Sequence, residues 1–215
     1  AGIQAQLYGT RFDFDGRIIS VGASIGIVGP DYAECTPDEL IRRADMAMYR
    51  AKKNGRNQFY VYEASLDRER DERRKLASAL RAAMNAGDIS LNYQPYVSAG
   101  TREIAGVEAL LRWNSPTLGP VNPSSFVAVA EEFGLIDELG MQVLFAACAQ
   151  AALWPSLKVS INVSPVQFSQ REFRGIVAQI LQETGLEPAL LELEITESLM
   201  MRDEQWTRAV LTELR

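Results

Sequence analysis

The sequence contains no histidine and only two cysteines, Cys35 and Cys148, in 215 residues. The first absence excludes a histidine-liganded zinc, a Ser-His-Asp triad and a histidine general base from these residues. The second excludes a disulfide framework, which needs more cysteines in a shorter secreted chain. Both read as free, buried thiols, Cys148 within the apolar run 144–153, and a reducing cytoplasm fits. Long hydrophobic runs are missing as well: none approaches the ~18 to 20 apolar residues that span a bilayer, and the first residues do not read as a signal peptide. The chain therefore reads as soluble and cytoplasmic, with no membrane contact of its own, whatever membrane or sensory region a parent protein carries upstream. Positive charge is also short. Lys and Arg total 22 against 28 Asp and Glu, a net charge of -6, which offers no field for nucleic acid. A small anionic ligand stays open where local cations or bound metal neutralise its phosphates. The chemistry left is that of carboxylates, amides, lysine and metal-bound water.

What is present is an ordinary globular balance, 47% hydrophobic and 23% charged, enough for a core. Residues 17–28 are β-branched and end at Gly29-Pro30, which predicts one buried strand. Thr36-Pro37-Asp38-Glu39 combines an N-cap, a first-turn proline and a capping-box glutamate. Apolar positions at helical spacing follow until Asn54-Gly55 stops the helix. A short strand is expected over 58–62. The mixed-charge run 67–75 then leads into Leu76, Leu80 and Met84, one connecting helix over 66–85, its charged part a solvated face and a linker. The domain boundary falls between Glu63 and Lys75. Beyond Gly87 strands alternate with helices: strands over 89–93, 104–113, 158–163 and 190–195, helices over 123–133, 137–153, 171–184 and 203–214. That alternation implies an α/β fold with a parallel sheet covered by helices. A doubly wound sheet and a barrel both satisfy it.

Three of these strand ends carry oxygen-bearing side chains in apolar surroundings: Glu108, Asn162 and Glu194. Side chains at strand C-termini of a parallel α/β fold line the usual ligand face. Two carboxylates and an amide oxygen converging there suit Mg²⁺ or Mn²⁺. The plainer reading makes the glutamates surface or edge-strand acids and Asn162 a cap for the next turn.

The string Glu108-Ala-Leu-Leu-Arg-Trp113 resembles the signature of the EAL domain, a bacterial cyclic di-GMP phosphodiesterase. Tyr93-Gln-Pro95, Asn162-Val-Ser164 with Gln167-Phe168, and Glu194-Ile-Thr-Glu-Ser198 follow the same family in order. The resemblance covers roughly 76–215. It implies that Glu108, Asn162 and Glu194 are divalent-metal ligands with Glu108 catalytic, that Gln94 and Arg112 contact cyclic di-GMP with Leu110 nearby, and that the fold is a TIM-type (β/α)₈ barrel. A guanidinium suits a phosphate because its donors form a planar fork. Glu197 reads as a helix cap or a supporting group, Gln167 and Phe168 as support and packing. Serine at 115 and proline at 165 depart from the family's usual residues and bear on loop shape only.

The opening segment resembles the C-terminal part of a GGDEF diguanylate cyclase domain, an α+β fold, through Ala23-Ser-Ile-Gly-Ile27, the stretch Ala44-Asp-Met-Ala-Met-Tyr-Arg-Ala-Lys52 and Gly55-Arg-Asn57. The resemblance implies that Lys52 and Arg56, one helical turn apart, meet nucleotide phosphates. A basic helix end complementing the helix dipole is the other reading. The organisation expected is thus 1–62 GGDEF, 63–86 connecting helix and 87–215 EAL. The GGDEF loop is expected upstream of residue 1, and the paired aspartates, lysine and further acids of the EAL site beyond Arg215. A whole barrel takes about 250 residues, so an incomplete barrel is expected, with self-association, a homodimer being one form of it, covering its exposed edges. The function implied is cyclic di-GMP signalling: the parent protein hydrolyses cyclic di-GMP to the linear dinucleotide, this stretch lacking part of the site. The alternative is an inactive cyclic di-GMP receptor.

Overall fold

The computed structural model of the chain describes residues 11–154 and 156–195; Glu197 and the helix expected over 203–214 lie outside the described residues. The chain divides into two compact units, Ala1–Arg73 and Arg74–Arg215. No helix among the described residues is long and apolar enough to cross a membrane.

In the first unit β1 (Arg11–Phe14) and β2 (Arg17–Ser20) form an antiparallel hairpin. Its turn residues Asp15 and Gly16 sit at φ 50° and 78°, the left-handed conformation that matches strand twist in a two-residue hairpin. The next strand, β3 (Ile25–Ile27), pairs in parallel with β4 (Phe59–Val61). The single buried strand expected over 17–28 is therefore corrected: two short strands belong to different sheets, and Ile18 is 67% exposed. The break falls beside Gly22, where a Cβ would stand 2.7 Å from the Asn57 side-chain oxygen, so the chain bends there without a side chain of its own.

Helix α1 (Pro37–Lys53) crosses between β3 and β4, as parallel pairing requires. Thr36 Oγ1 accepts the Glu39 N–H at 3.3 Å, while the Glu39 carboxylate is taken by Arg42 and Arg43. The helix ends before Gly55, Arg56 and Asn57, all at positive φ. Helix α2 (Ser65–Ala86) follows. Its first two turns are fastened to the first unit: Arg42 pairs with Asp67 at 2.9 Å, Tyr62 hydrogen-bonds Asp67, and Arg50 pairs with Glu69 at 2.8 Å. The charged run is thus in part a bound face, a correction to the solvated linker, because cations spaced along α1 meet its acids. Ala47, Tyr62 and Leu66 are buried at this junction.

In the second unit β5 (Ile89–Val97) and β6 (Ile104–Ser115) are antiparallel, and β7 (Gly119–Val121) also runs antiparallel to β6. The wholly parallel sheet expected from strand-helix alternation is corrected at this edge. The loop 98–103 is too short for a crossover, which takes about a dozen residues. Helices α3 (Pro123–Glu132) and α4 (Ile136–Ala151) carry the chain to β8 (Lys158–Asn162), parallel to β6. A one-turn helix α5 (Pro165–Phe168) and α6 (Phe173–Thr184) lead to β9 (Leu191–Glu194), parallel to β8. The order is β5-β6-β8-β9.

These strands alternate. Tyr93, Val107, Ala109, Leu111, Val159, Ile161, Leu191 and Leu193 face a core shared with Leu80, Phe126, Leu139 and Val177 from the helices. Fully burying a side chain such as Phe126 contributes about 1.5–3 kcal/mol, which fixes which face of the sheet turns to the helices. The polar residues of Lys158-Val-Ser-Ile-Asn162 and Leu191-Glu-Leu-Glu194 are thereby directed to the opposite face.

Candidate functional site

The face left to polar side chains gathers the predicted residues. Gln94 is the register partner of Glu108 across β5 and β6, and Glu108 that of Ser160 across β6 and β8. One pleat further, Asn162 is the partner of Glu194 across β8 and β9. Residues opposite one another leave a sheet on the same side with Cβ atoms about 4.5–5.5 Å apart. Leu110 and Arg112 occupy the next two positions of that face on β6. Asn162 and Glu194 end their strands as expected. Glu108 does not: it lies within β6, which runs on to Ser115 because β5 and β7 extend its antiparallel pairing. It is the parallel ladder with β8 that stops there, at Ala109 and Ile161.

The Asn162 amide nitrogen donates to Glu108 Oε1 at 2.7 Å. Amide nitrogen and oxygen differ by one half-turn of the end group, so the same geometry presents an oxygen beside the carboxylate once that group turns. Two carboxylates and an amide oxygen are hard donors of the kind Mg²⁺ and Mn²⁺ accept, and this donor set fits a divalent ion. Among the described residues no group of three His, Cys, Asp or Glu side chains is placed to hold a metal. Arg112 Nη1 donates to its neighbour's carbonyl, Leu111 O, at 2.7 Å.

Asn162 is not the cap of the following turn. Ser164 is: its Oγ accepts the Val166 N–H at 3.1 Å, and Gln167 Oε1 accepts the Ser164 N–H at 3.3 Å. The Ser164 hydroxyl donates to Glu131 of α3 at 2.6 Å. Gln167 is buried against Gly140, where a Cβ would fall 1.7 Å from its amide nitrogen. A cavity of about 220 Å³ opens here, lined by Leu139, Val143 and Ile161 and reached by Glu131, Asn162 and Ser164.

Sequence reading missed a second polar row on the same face. Glu192 Oε2 accepts the Tyr96 hydroxyl at 2.9 Å and the Ser160 hydroxyl at 3.2 Å, while Glu192 Oε1 accepts Lys158 at 2.6 Å. The Lys158 and Tyr96 hydrogen bonds hold the Glu192 carboxyl below its usual range; burial, then the bond to Glu192, moves Tyr96 upward. Strict alternation in 158–162 and 191–194 was the signal that placed Ser160 and Glu192 on the face of Asn162 and Glu194.

Lys52 and Arg56 belong to the first unit and are both exposed. Lys52 is the penultimate residue of α1, but Arg56 lies beyond the helix at φ 61°. They are not two residues of one helical turn, because the left-handed residues after Asn54 end the helix first. Cys148 is buried and Cys35 only half-buried, which corrects the expectation of two buried thiols.

Residues 77–215 match the EAL domain family and residues 3–58 the family described as diguanylate cyclase, GGDEF domain. An uncharacterized signaling protein of Caulobacter vibrioides is 41% identical over 207 residues, 95% of this chain and 26% of that protein. The bifunctional diguanylate cyclase/cyclic di-GMP phosphodiesterase MucR of Pseudomonas aeruginosa is 38% identical over 201 residues, 91% of this chain and 29% of that protein. The chain spans about a quarter of the length of the curated relatives it matches. A solved structure of the PaMucR phosphodiesterase in complex with c-di-GMP superposes with a TM-score of 0.63 at 38% identity, covering 65% of this chain and 59% of that one.

Proposed function

This chain belongs to the EAL domain family, with residues of the GGDEF family ahead of it, and on that footing we propose that the parent protein of which it forms part hydrolyses one phosphodiester bond of cyclic di-GMP to give the linear dinucleotide. The observation that carries the reading is the placement of Glu108, Asn162 and Glu194 on one face of the sheet, with the Asn162 amide 2.7 Å from the Glu108 carboxylate. The names of relatives support it, since MucR is a cyclic di-GMP phosphodiesterase and its structure holds c-di-GMP.

In this reading Glu108, Asn162 and Glu194 hold Mg²⁺ or Mn²⁺. When bound, a divalent ion polarises the phosphate oxygens and stabilises the charge that develops on them. Arg112 leaves the Leu111 carbonyl to grip a phosphate with its planar fork of donors. Gln94, level with Glu108 on β5, offers its amide to the dinucleotide, and Leu110 supplies an apolar surface between the two. In the first unit Lys52 and Arg56 are read as nucleotide-phosphate contacts, supported by their exposure around the end of α1. The negative end of that helix draws cations as well.

The test is incubation of the full-length parent protein with cyclic di-GMP in Mg²⁺, in Mn²⁺ and in excess chelator, followed by chromatography. Linear dinucleotide formed only with metal is expected. Tight binding without product would replace the enzyme with a receptor, and product formed in chelator would remove the metal from the account.

A further inference from the structure

Tyr96 spans the sheet. It stands on β5, yet its hydroxyl meets Ser160 on β8 and Glu192 on β9, passing over β6. The passage exists because its partner on β6 is Gly106: a Cβ there would lie 2.2 Å from the Tyr96 hydroxyl oxygen and 2.4 Å from the ring carbon that bears it. Each member of this row stands two residues from a residue of the candidate site. Tyr96 follows Gln94, Gly106 precedes Glu108, Ser160 precedes Asn162 and Glu192 precedes Glu194.

The strand that gains most is β9, which has 4 residues. Register along so short a parallel ladder is weakly held, and a slip of one residue turns every side chain to the other face. A slip of that kind would put Leu193 or Ile195 where Glu194 stands and remove one carboxylate from the site. Hydrophobic matching of Leu191 and Leu193 to the core resists the slip on one face. On the other, the Glu192 carboxylate is gripped by donors from two strands, Lys158 and Ser160 of β8 and Tyr96 of β5.

We propose that Tyr96, seated over Gly106 and bonded to Glu192, is a positioning residue that sets the level of Glu194 against Asn162 and so assembles the metal row. The proposal rests on the reading of Glu108, Asn162 and Glu194 as metal ligands for its consequence, but not for its geometry. The Val163 N–H donates to the Glu194 carbonyl at 2.8 Å, which gives a probe of that register needing no metal and no substrate.

The experiment compares the wild type with Tyr96→Phe, which keeps the ring over Gly106 and removes only the hydroxyl, and with Ile180→Val, a control that thins the core from α6. Amide exchange at Val163 is measured without metal, and Mn²⁺ affinity by titration. Tyr96→Phe is expected to speed Val163 exchange and to weaken Mn²⁺ binding by about tenfold, as loss of a group behind a ligand does. Ile180→Val is expected to lower the unfolding midpoint and change neither. Unchanged Val163 exchange in Tyr96→Phe overturns the proposal. A wild type that binds no Mn²⁺ sinks the metal reading alone, and Val163 exchange then still decides whether Tyr96 sets the register.

Discussion

The Asn162 amide nitrogen stands 2.7 Å from Glu108 Oε1 across two parallel strands, 54 residues apart in sequence. The amide N–H donates to the carboxylate, so the two side chains fix one another's position across the sheet. In the proposed metal reading, two of the three ligands are thereby held side by side before any ion binds, which lowers the ordering cost of binding.

Gly26 of β3 lies flat beneath α1, where a Cβ would come within 1.8 Å of the Ala44 carbonyl oxygen and 2.5 Å of the Met48 nitrogen. Both are helix backbone and cannot swing aside. Gly26→Ala is expected to cost at least the ~1–3 kcal/mol typical of overpacking, read as a lower urea midpoint of the first unit. An unchanged midpoint would mean that α1 lifts from β3 freely.

The first unit is expected to lose stability at both ends of the pH scale. Hydrogen bonds from Arg42, with Arg43 assisting, hold the Glu39 carboxyl down at about 2 from 4.5. Its contribution is therefore complete above 4.5 and is lost as pH falls towards 2. Burial, reinforced by the bond to Asp67, pushes Tyr62 up to about 12 from 10. That contribution is complete below 10 and is lost as pH rises from 10 to 12. Urea midpoints measured across both windows check the two signs, and Arg42→Met should flatten the acid limb while leaving the alkaline limb in place.

Burial raises the Cys148 thiol to about 11, and its side chain is fully covered in α4. Only the thiolate reacts. An aromatic disulfide reagent at neutral pH should therefore modify Cys35 alone in the folded protein, and both cysteines in urea. Prompt reaction at Cys148 in native conditions would contradict the packing of α4 on the sheet.

Much of this arrangement was legible in the sequence because its causes are local. Thr36-Pro37 starts α1, Gly55 stops it, and the unbroken apolar spacing of Leu76, Leu80 and Met84 carries α2 through to Ala86. The candidate site residues came from the motifs around Glu108, Asn162 and Glu194, all three of which lie within the family match over 77–215. What escaped depends on distant partners. Nothing near residues 17–28 tells that Ile18 pairs with β1 while Ile25 pairs with Phe59. The antiparallel edge follows from the length of the loop 98–103, which alternation of strands and helices does not weigh. Asp67 and Glu69 look solvated until α1 is laid beside them. Tyr96 and Glu192 are 96 residues apart, and only the sheet order joins them.

The central claim is that Glu108, Asn162 and Glu194 share one divalent ion, and a Mn²⁺ titration of the wild type beside Glu108→Ala and Asn162→Ala tests it most directly. The account predicts uptake of Mn²⁺ by the wild type and a loss of affinity of about 10-fold or more in each variant, the scale set by groups that hold or orient a metal. Equal affinity in all three proteins would place the ion elsewhere and contradict the account.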